Sequence, residues 1–220
     1  MKHLMITLAV VSLAAGCRPD LPPRGNWKGS VSISGGRAIP FMLHLNLDGT
    51  QPSGYFLVGS ERTPIPVVER NGDSVRLEFA GYDSEMRGAW DGTVLTGQYL
   101  RFRADTSSLS FSAVPEEPAA TMSTRPTAPP SLPLTGTFRT FLESPGGIDS
   151  SLTSTFWTQN DSVFGTILDP SGDYGLLGGV QQGNDVRLAR FTGWQAILLE
   201  LALREDRWEG RYYVRNLPAQ

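Results

Sequence analysis

The side chains able to carry out chemistry are few. The 220-residue sequence holds one cysteine, Cys17, and two histidines, His3 and His44. One thiol permits no intramolecular disulfide, no cysteine-rich zinc site and no Cys-x-x-Cys redox pair. His44 lies in Phe41-Met42-Leu43-His44-Leu45. Strand alternation sets it opposite Phe41, Leu43 and Leu45, at a solvated position with no hydroxyl–imidazole–carboxylate triad around it. Asp169 and Asp173 bracket Pro170-Ser171-Gly172. They bring too few oxygens for calcium and read as a hairpin turn. Asp83 and Glu85 have the spacing of a carboxylate pair on one strand face, but they read as a solvated loop. No phosphate-cradling Gly loop is present. The sequence therefore argues against an enzyme and assigns no catalytic residue, no metal ligand and no cofactor.

Aromatic residues are the other chemical resource, at 10% of the chain. Most belong to a core. Trp157 and Trp194 sit where alternation is ambiguous, and with Tyr174 they are the candidates for a ligand cavity or partner surface.

Cys17 has a different use. Residues 1–17 read MKHLMITLAVVSLAAGC. Lys2 supplies a short basic start, and Leu4 to Ala15 is an apolar run too short for the roughly 20 residues that span a bilayer. Leu13-Ala14-Ala15-Gly16-Cys17 resembles a bacterial lipobox. Small residues precede the bond to be cleaved, and the thiol carries the lipid. The expectation is a signal peptide over 1–16 and an acylated Cys17 that attaches the protein to a membrane without a transmembrane helix. That places it in the bacterial cell envelope, facing the periplasm or the exterior. Arg18, in place of Asp, favours the outer membrane.

The net charge is −3 with pI ≈ 5.4. Removing residues 1–16 takes away one Lys and brings it to −4. No basic footprint for nucleic acid exists. Arg18–Arg24 (RPDLPPR) contains three prolines, and residues 17–24 are expected to form a tether. Residues 115–134 are rich in Pro, Ala, Ser and Thr and read as a semi-rigid linker. Two modules remain, 25–114 and 135–220.

The modules look alike. Gly25-Asn26-Trp27 matches Gly136-Thr137-Phe138 at an offset of 111, as do Gly54 with Gly165, Gly72 with Gly183, and Val75-Arg76-Leu77 with Val186-Arg187-Leu188. Phe79 and Gly81 match Phe191 and Gly193 at 112, and Gly97 and Tyr99 match Gly210 and Tyr212 at 113. The single-residue step after Leu188 predicts a β-bulge near Ala189-Arg190. Phe41, Leu43, Leu45 and Leu47 alternate, as do Val75, Leu77 and Phe79, and Ile197, Leu199, Leu201 and Leu203. Turn residues recur every 8–12 positions or so, and no helical period stands out. The fold class expected is all-β: two repeated antiparallel meanders, each a small barrel or sandwich with one modest core, joined by the Pro-rich linker.

Gly25-x-Trp27 on the first strand resembles lipocalin-like barrels. The resemblance implies that Trp27 closes one end, with Arg101 or Arg103 packed on it through a cation–π contact. A second resemblance covers the mature chain. Trp27, Ile39-Pro40-Phe41, Gly59-Ser60-Glu61, Gly72-Asp73-Ser74-Val75 and Leu95-Thr96-Gly97 fall in order in the first half. Gly165-Thr166-Ile167-Leu168, Ser171-Gly172-Asp173-Tyr174, Leu177-Gly178-Gly179 and Phe191-Thr192-Gly193 do so in the second. This pattern is similar to the N-terminal, non-catalytic region of bacterial thioredoxin-like lipoproteins of the TlpA/redoxin kind. The family's Cys-x-x-Cys domain has no match here, and its His-Ala pair stands as Gln195-Ala196. The resemblance thus implies a non-enzymatic accessory or interaction module for an envelope partner. Two other readings stand beside it: a lipocalin-like binder of a small apolar ligand, and a truncated remnant of a redoxin lipoprotein.

Overall fold

The computed structural model describes residues 20–102, 106–116 and 132–214. The expected signal peptide, Cys17 with its expected acylation, Arg103 and linker residues 117–131 lie outside the described residues. The first half folds into nine strands: β1 (Arg24–Ile33), β2 (Arg37–Asn46), β3 (Ser53–Val58), β4 (Glu61–Pro64), β5 (Val67–Asn71), β6 (Ser74–Phe79), β7 (Ser84–Trp90), β8 (Leu95–Phe102) and β9 (Thr106–Pro115). The second half adds β10 (Gly136–Ser144), β11 (Gly147–Gln159), β12 (Ser162–Asp169), β13 (Gly172–Asp173), β14 (Leu177–Gln182), β15 (Asp185–Phe191), β16 (Ala196–Arg204) and β17 (Arg207–Val214). All pairings are antiparallel, so the all-β reading holds.

The first sheet runs β4-β3-β2-β1-β9-β8-β7-β6-β5. Its first and last strands pair, so the meander curls round on itself. The one break falls between β4 and β5, where Pro64-Ile65-Pro66 places two residues that cannot donate to a ladder. The alternating residues fill the interior as their period requires. Trp27, Ile39, Leu43, Leu45, Phe56, Leu77, Phe79, Leu95 and Tyr99 are all buried. The chain docks earlier than expected. Leu21 is 1% exposed and the Pro23 carbonyl accepts the Leu47 N–H at 2.5 Å, so the end of the presumed tether belongs to this core.

The second sheet runs β10-β11-β12-β14-β15-β16-β17, with β13 paired to β12. Strand by strand it follows the first: β10 to β17 stand where β1 to β8 stand, at the offsets of 111 to 113 read from the glycines. Matched glycines hold matched places. A Cβ on Gly97 would lie 1.9 Å from the Arg87 carbonyl oxygen, and one on Gly210 would lie 1.8 Å from that of Glu200. Only Gly lets the neighbouring strand approach so closely. Two similar curled sheets result. They differ at one point: β9 has no counterpart among the described residues. Among the described residues β10 and β17 therefore do not pair, and each has a partner strand on one side only.

The expected bulge at Ala189-Arg190 is absent. The β15–β16 register runs unbroken through Ala189↔Leu198, Arg190↔Ile197 and Phe191↔Ala196. The irregularity in the second sheet lies between Thr140 and Leu142. The extra residue is absorbed differently. Phe79 comes two residues after Leu77, but Phe191 comes three after Leu188. In an unbroken strand one extra residue turns a side chain to the opposite face. Val186, Leu188, Ile197 and Leu199 therefore build the second sheet's own core, while Ala189, Phe191, Ala196, Leu198 and Tyr213 join the core of the first sheet. Phe191 inserts among Phe56, Tyr99 and Phe41, with ring centroids 5.0, 5.1 and 5.2 Å away. The second sheet thus keeps a core of its own, and it also contributes side chains to the core of the first, so the two halves are joined by a shared apolar contact that two independent modules would lack.

Polar contacts pin this junction. Arg190 is 8% exposed, and its guanidinium donates to Glu61 (2.8 Å), the Gln195 side chain (2.7 Å) and the Leu176 carbonyl (3.0 Å). Arg37 donates to Glu200 at 3.0 Å, and Arg187 to the Ala38 carbonyl at 2.5 Å.

Candidate binding site

The residues singled out from the sequence do not all meet. Trp157 projects from the outer face of β11, 39% exposed and 6.2 Å from Phe164. Trp194 and Tyr174 do come together, at a cavity of about 260 Å³ between the two sheets. Trp194 sits in the turn Thr192-Gly193-Trp194-Gln195. The Thr192 N–H donates to the Gln195 carbonyl at 3.0 Å, and Gly193 holds the first central position with φ +91°. Two-residue hairpin turns need a positive φ there. The turn is locked to the first sheet: Ser84 Oγ donates to the Gly193 carbonyl at 2.9 Å, and the Phe79 ring lies where a Cβ of residue 193 would be. Trp194 then stacks on Tyr82 at 4.3 Å and 6°.

The opposite wall is Tyr174 and Tyr212, with centroids 5.9 Å apart. Burial raises the Tyr212 phenol well above its ordinary value, so it stays neutral. Burial first, then the charge of Asp169, raises that of Tyr174. The Gln195 amide donates to the Tyr174 carbonyl at 3.4 Å and ties this wall to the turn.

Arg101 is the residue whose role changes most. It was expected to pack on Trp27 at a barrel end, and the structure separates them. Trp27 meets Trp90 edge to face at 5.5 Å, near Leu95 at the start of β8. Arg101 lies six residues further along β8, about 20 Å of extended strand. There it lines the cavity. Its Nε is buried with no hydrogen-bond partner. In the sequence Arg101 was singled out only through the lipocalin-like resemblance, which could not show that second-sheet residues would share a cavity with it.

The carboxylates have other employment. Asp173, at the cavity rim, accepts from the Thr166 hydroxyl and from the Gly175 N–H at 2.7 Å. Asp169 accepts from the Ser171 N–H (2.6 Å), the Ser171 hydroxyl (2.5 Å) and the Gly172 N–H (2.9 Å), which hold its pKa below the usual carboxylate range. Both close a turn, as read. Glu85 is 1% exposed and ion-paired to Arg76 at 2.7 Å and to Arg87, so it does not form a pair with Asp83. His44 lies 2.8 Å from Asn26 Oδ1 and stacks on Tyr55. Among the described residues no group of three or more His, Cys, Asp or Glu is placed to hold a metal ion, and no helix is long and apolar enough to cross a membrane.

A second feature adjoins the cavity. Six side chains pack only half-buried against the second sheet's core: Phe138 and Leu142 on β10, Leu201 on β16, Trp208 and Tyr212 on β17, and Tyr174. Most lie on the two end strands. In the first sheet the equivalent place is filled by β9, whose Phe111 and Ala113 are buried and whose Leu109 packs beside them. Half-buried apolar side chains thus lie along the second sheet's two end strands, and Tyr174 and Tyr212 among them also line the cavity.

Compared with protein-family models, curated proteins and solved structures, the chain matches none.

Proposed function

We propose that this protein is a non-enzymatic binding module of the bacterial cell envelope. It is attached through an acylated Cys17 and receives an extended apolar strand from an envelope partner at the end strands of its second sheet. One observation carries the reading: among the described residues β10 and β17 each have one unpaired edge, beside half-buried Phe138, Leu142, Trp208 and Tyr212. A strand added there would pair its main chain with both edges and set alternate side chains against these, the usual mode of β-augmentation. The first sheet supplies the pattern of the occupant, since β9 fills the same place with Leu109, Phe111 and Ala113 at every second position. The resemblance to the non-catalytic region of redoxin lipoproteins supports an accessory role of this kind.

The test uses the mature chain with a synthetic peptide of the β9 sequence, Thr106–Pro115. Saturable binding that shifts Trp208 fluorescence, and is lost when Phe111 and Leu109 of the peptide become Asp, is the expected result. A β9 peptide that binds no better than its doubly substituted form would refute the strand-receiving role. Mass spectrometry of the membrane-extracted protein tests the anchor separately, and an N-terminal peptide without acyl mass on Cys17 would remove it.

A further inference from the structure

We infer that the cavity between the sheets is a binding site for a small organic monoanion, a carboxylate carried on a flat apolar body. This inference does not require a partner strand, and its carrying residue, Arg101, lies outside the second sheet, while Tyr174 and Tyr212 are common to both.

The charge comes first. Three arginines at the junction have their acceptors within the protein: Arg37 with Glu200, Arg187 with the Ala38 carbonyl, and Arg190 with Glu61, Gln195 and Leu176. Arg101 differs. Among the described residues it has no ion pair, and it lines the cavity; its Nε is closed to solvent and without a partner, which leaves the terminal N–H groups of the guanidinium as the ones a ligand can meet. A guanidinium cannot lose its proton, so this charge asks for a counter-ion. A ligand carboxylate supplies one, because its two oxygens match the planar fork of the guanidinium.

The walls define the rest of the ligand. Trp194, stacked on Tyr82, lines the cavity together with the Tyr174–Tyr212 pair. Aromatic side chains on this scale favour a flat apolar body. At about 260 Å³ the space exceeds the roughly 150 Å³ cavity that suffices for benzene. It therefore has room for one ring with a short acid arm. Asp173 at the rim, its carboxylate already engaged by Thr166 and Gly175, disfavours a second negative charge away from Arg101. That selects a monoanion and orients it with its head toward β8.

The probe pair is sodium phenylacetate and neutral phenylacetamide, titrated into the mature chain by calorimetry and Trp fluorescence. Phenylacetate is expected to bind about tenfold or more tightly than the amide, the scale of one charge-assisted contact. Arg101→Gln should abolish that preference, while Arg139→Gln, on an exposed strand face, should keep it. Circular dichroism confirms that both variants fold. If Arg101→Gln does not fold, the salt dependence of phenylacetate binding to the unaltered chain and the chemical-shift changes at Trp194 Nε1–H decide the matter. Equal binding of acid and amide, a preference that survives Arg101→Gln, or no saturable binding at the solubility limit would each overturn the inference.

Discussion

Replacing Phe191 with Ala tests whether the two sheets stand or fall together. The ring is 1% exposed and belongs to the second sheet, yet its three aromatic neighbours, Phe41, Phe56 and Tyr99, belong to the first. Truncating a buried Phe costs about 3–5 kcal/mol through lost transfer energy and the cavity left behind. The upper part of that range applies here, because aromatic pairs add to simple burial and the surrounding strands cannot collapse into the space without breaking ladder register. With a guanidinium m-value of about 4 kcal/mol/M, the midpoint falls by about 1 M. The assay is guanidinium unfolding followed at two places. Near-UV dichroism of the Trp27–Trp90 pair, at 5.5 Å, reports on the first sheet. Quenching of Trp208 reports on the second. Both transitions should shift together in Phe191→Ala, and Phe191→Leu should lose less than half as much. A loss below about 1 kcal/mol, or a shift confined to Trp208, would refute the shared core, since burial on this scale cannot be silent in the sheet that provides it.

Three further outcomes are expected. Arg190→Met removes three donated bonds and leaves Glu61 without its partner, so chemical denaturation should show a loss of about 3 kcal/mol, part of it recovered when Glu61→Gln is added. Gly97→Ala and Gly210→Ala each force a Cβ into a neighbouring carbonyl oxygen and should lower thermal stability by about 2 kcal/mol or more, whereas Gly25→Ala, with nothing within 4 Å, should be nearly silent. The His44 pKa is lowered by burial first and then by Arg24 and Arg62. The unfolded chain therefore binds this proton more readily. The contribution is fully present above the unfolded pKa near 6.5 and is lost as pH falls through the folded value. An NMR titration of the His44 ring should give a midpoint below 6.5, and His44→Gln should flatten that part of the stability profile.

The strands were legible because one-faced strands alternate. β2 and β6 show Phe41, Leu43 and Leu45, then Val75, Leu77 and Phe79, and the structure buries them accordingly. Glycines pressed against a neighbouring strand, such as Gly97 and Gly210, made the likeness of the two halves visible. Alternation fails where both faces are covered. Ala196-Ile197-Leu198-Leu199 is apolar throughout because Ile197 and Leu199 face one core while Ala196 and Leu198 face the other. For the same reason the extra residue before Phe191 suggested a bulge, when it marks a change of face. The cavity was half-legible. Trp194 stood out as an aromatic of uncertain facing and Tyr174 as its companion candidate, but the role of Arg101 depends on the approach of lining residues more than 70 positions away in sequence.

The early docking of the chain bears on the proposed anchor. Leu21 is already in the core, so with an acyl group on Cys17 only Arg18, Pro19 and Asp20 would separate the lipid-bearing residue from the folded body. Fully extended, the four residue steps from Cys17 to Leu21 reach about 14 Å. Under that proposal the body would be held close to the bilayer on a short leash, with the Pro23–Leu47 end of the first sheet nearest the lipid, and a partner would have to come to the membrane surface.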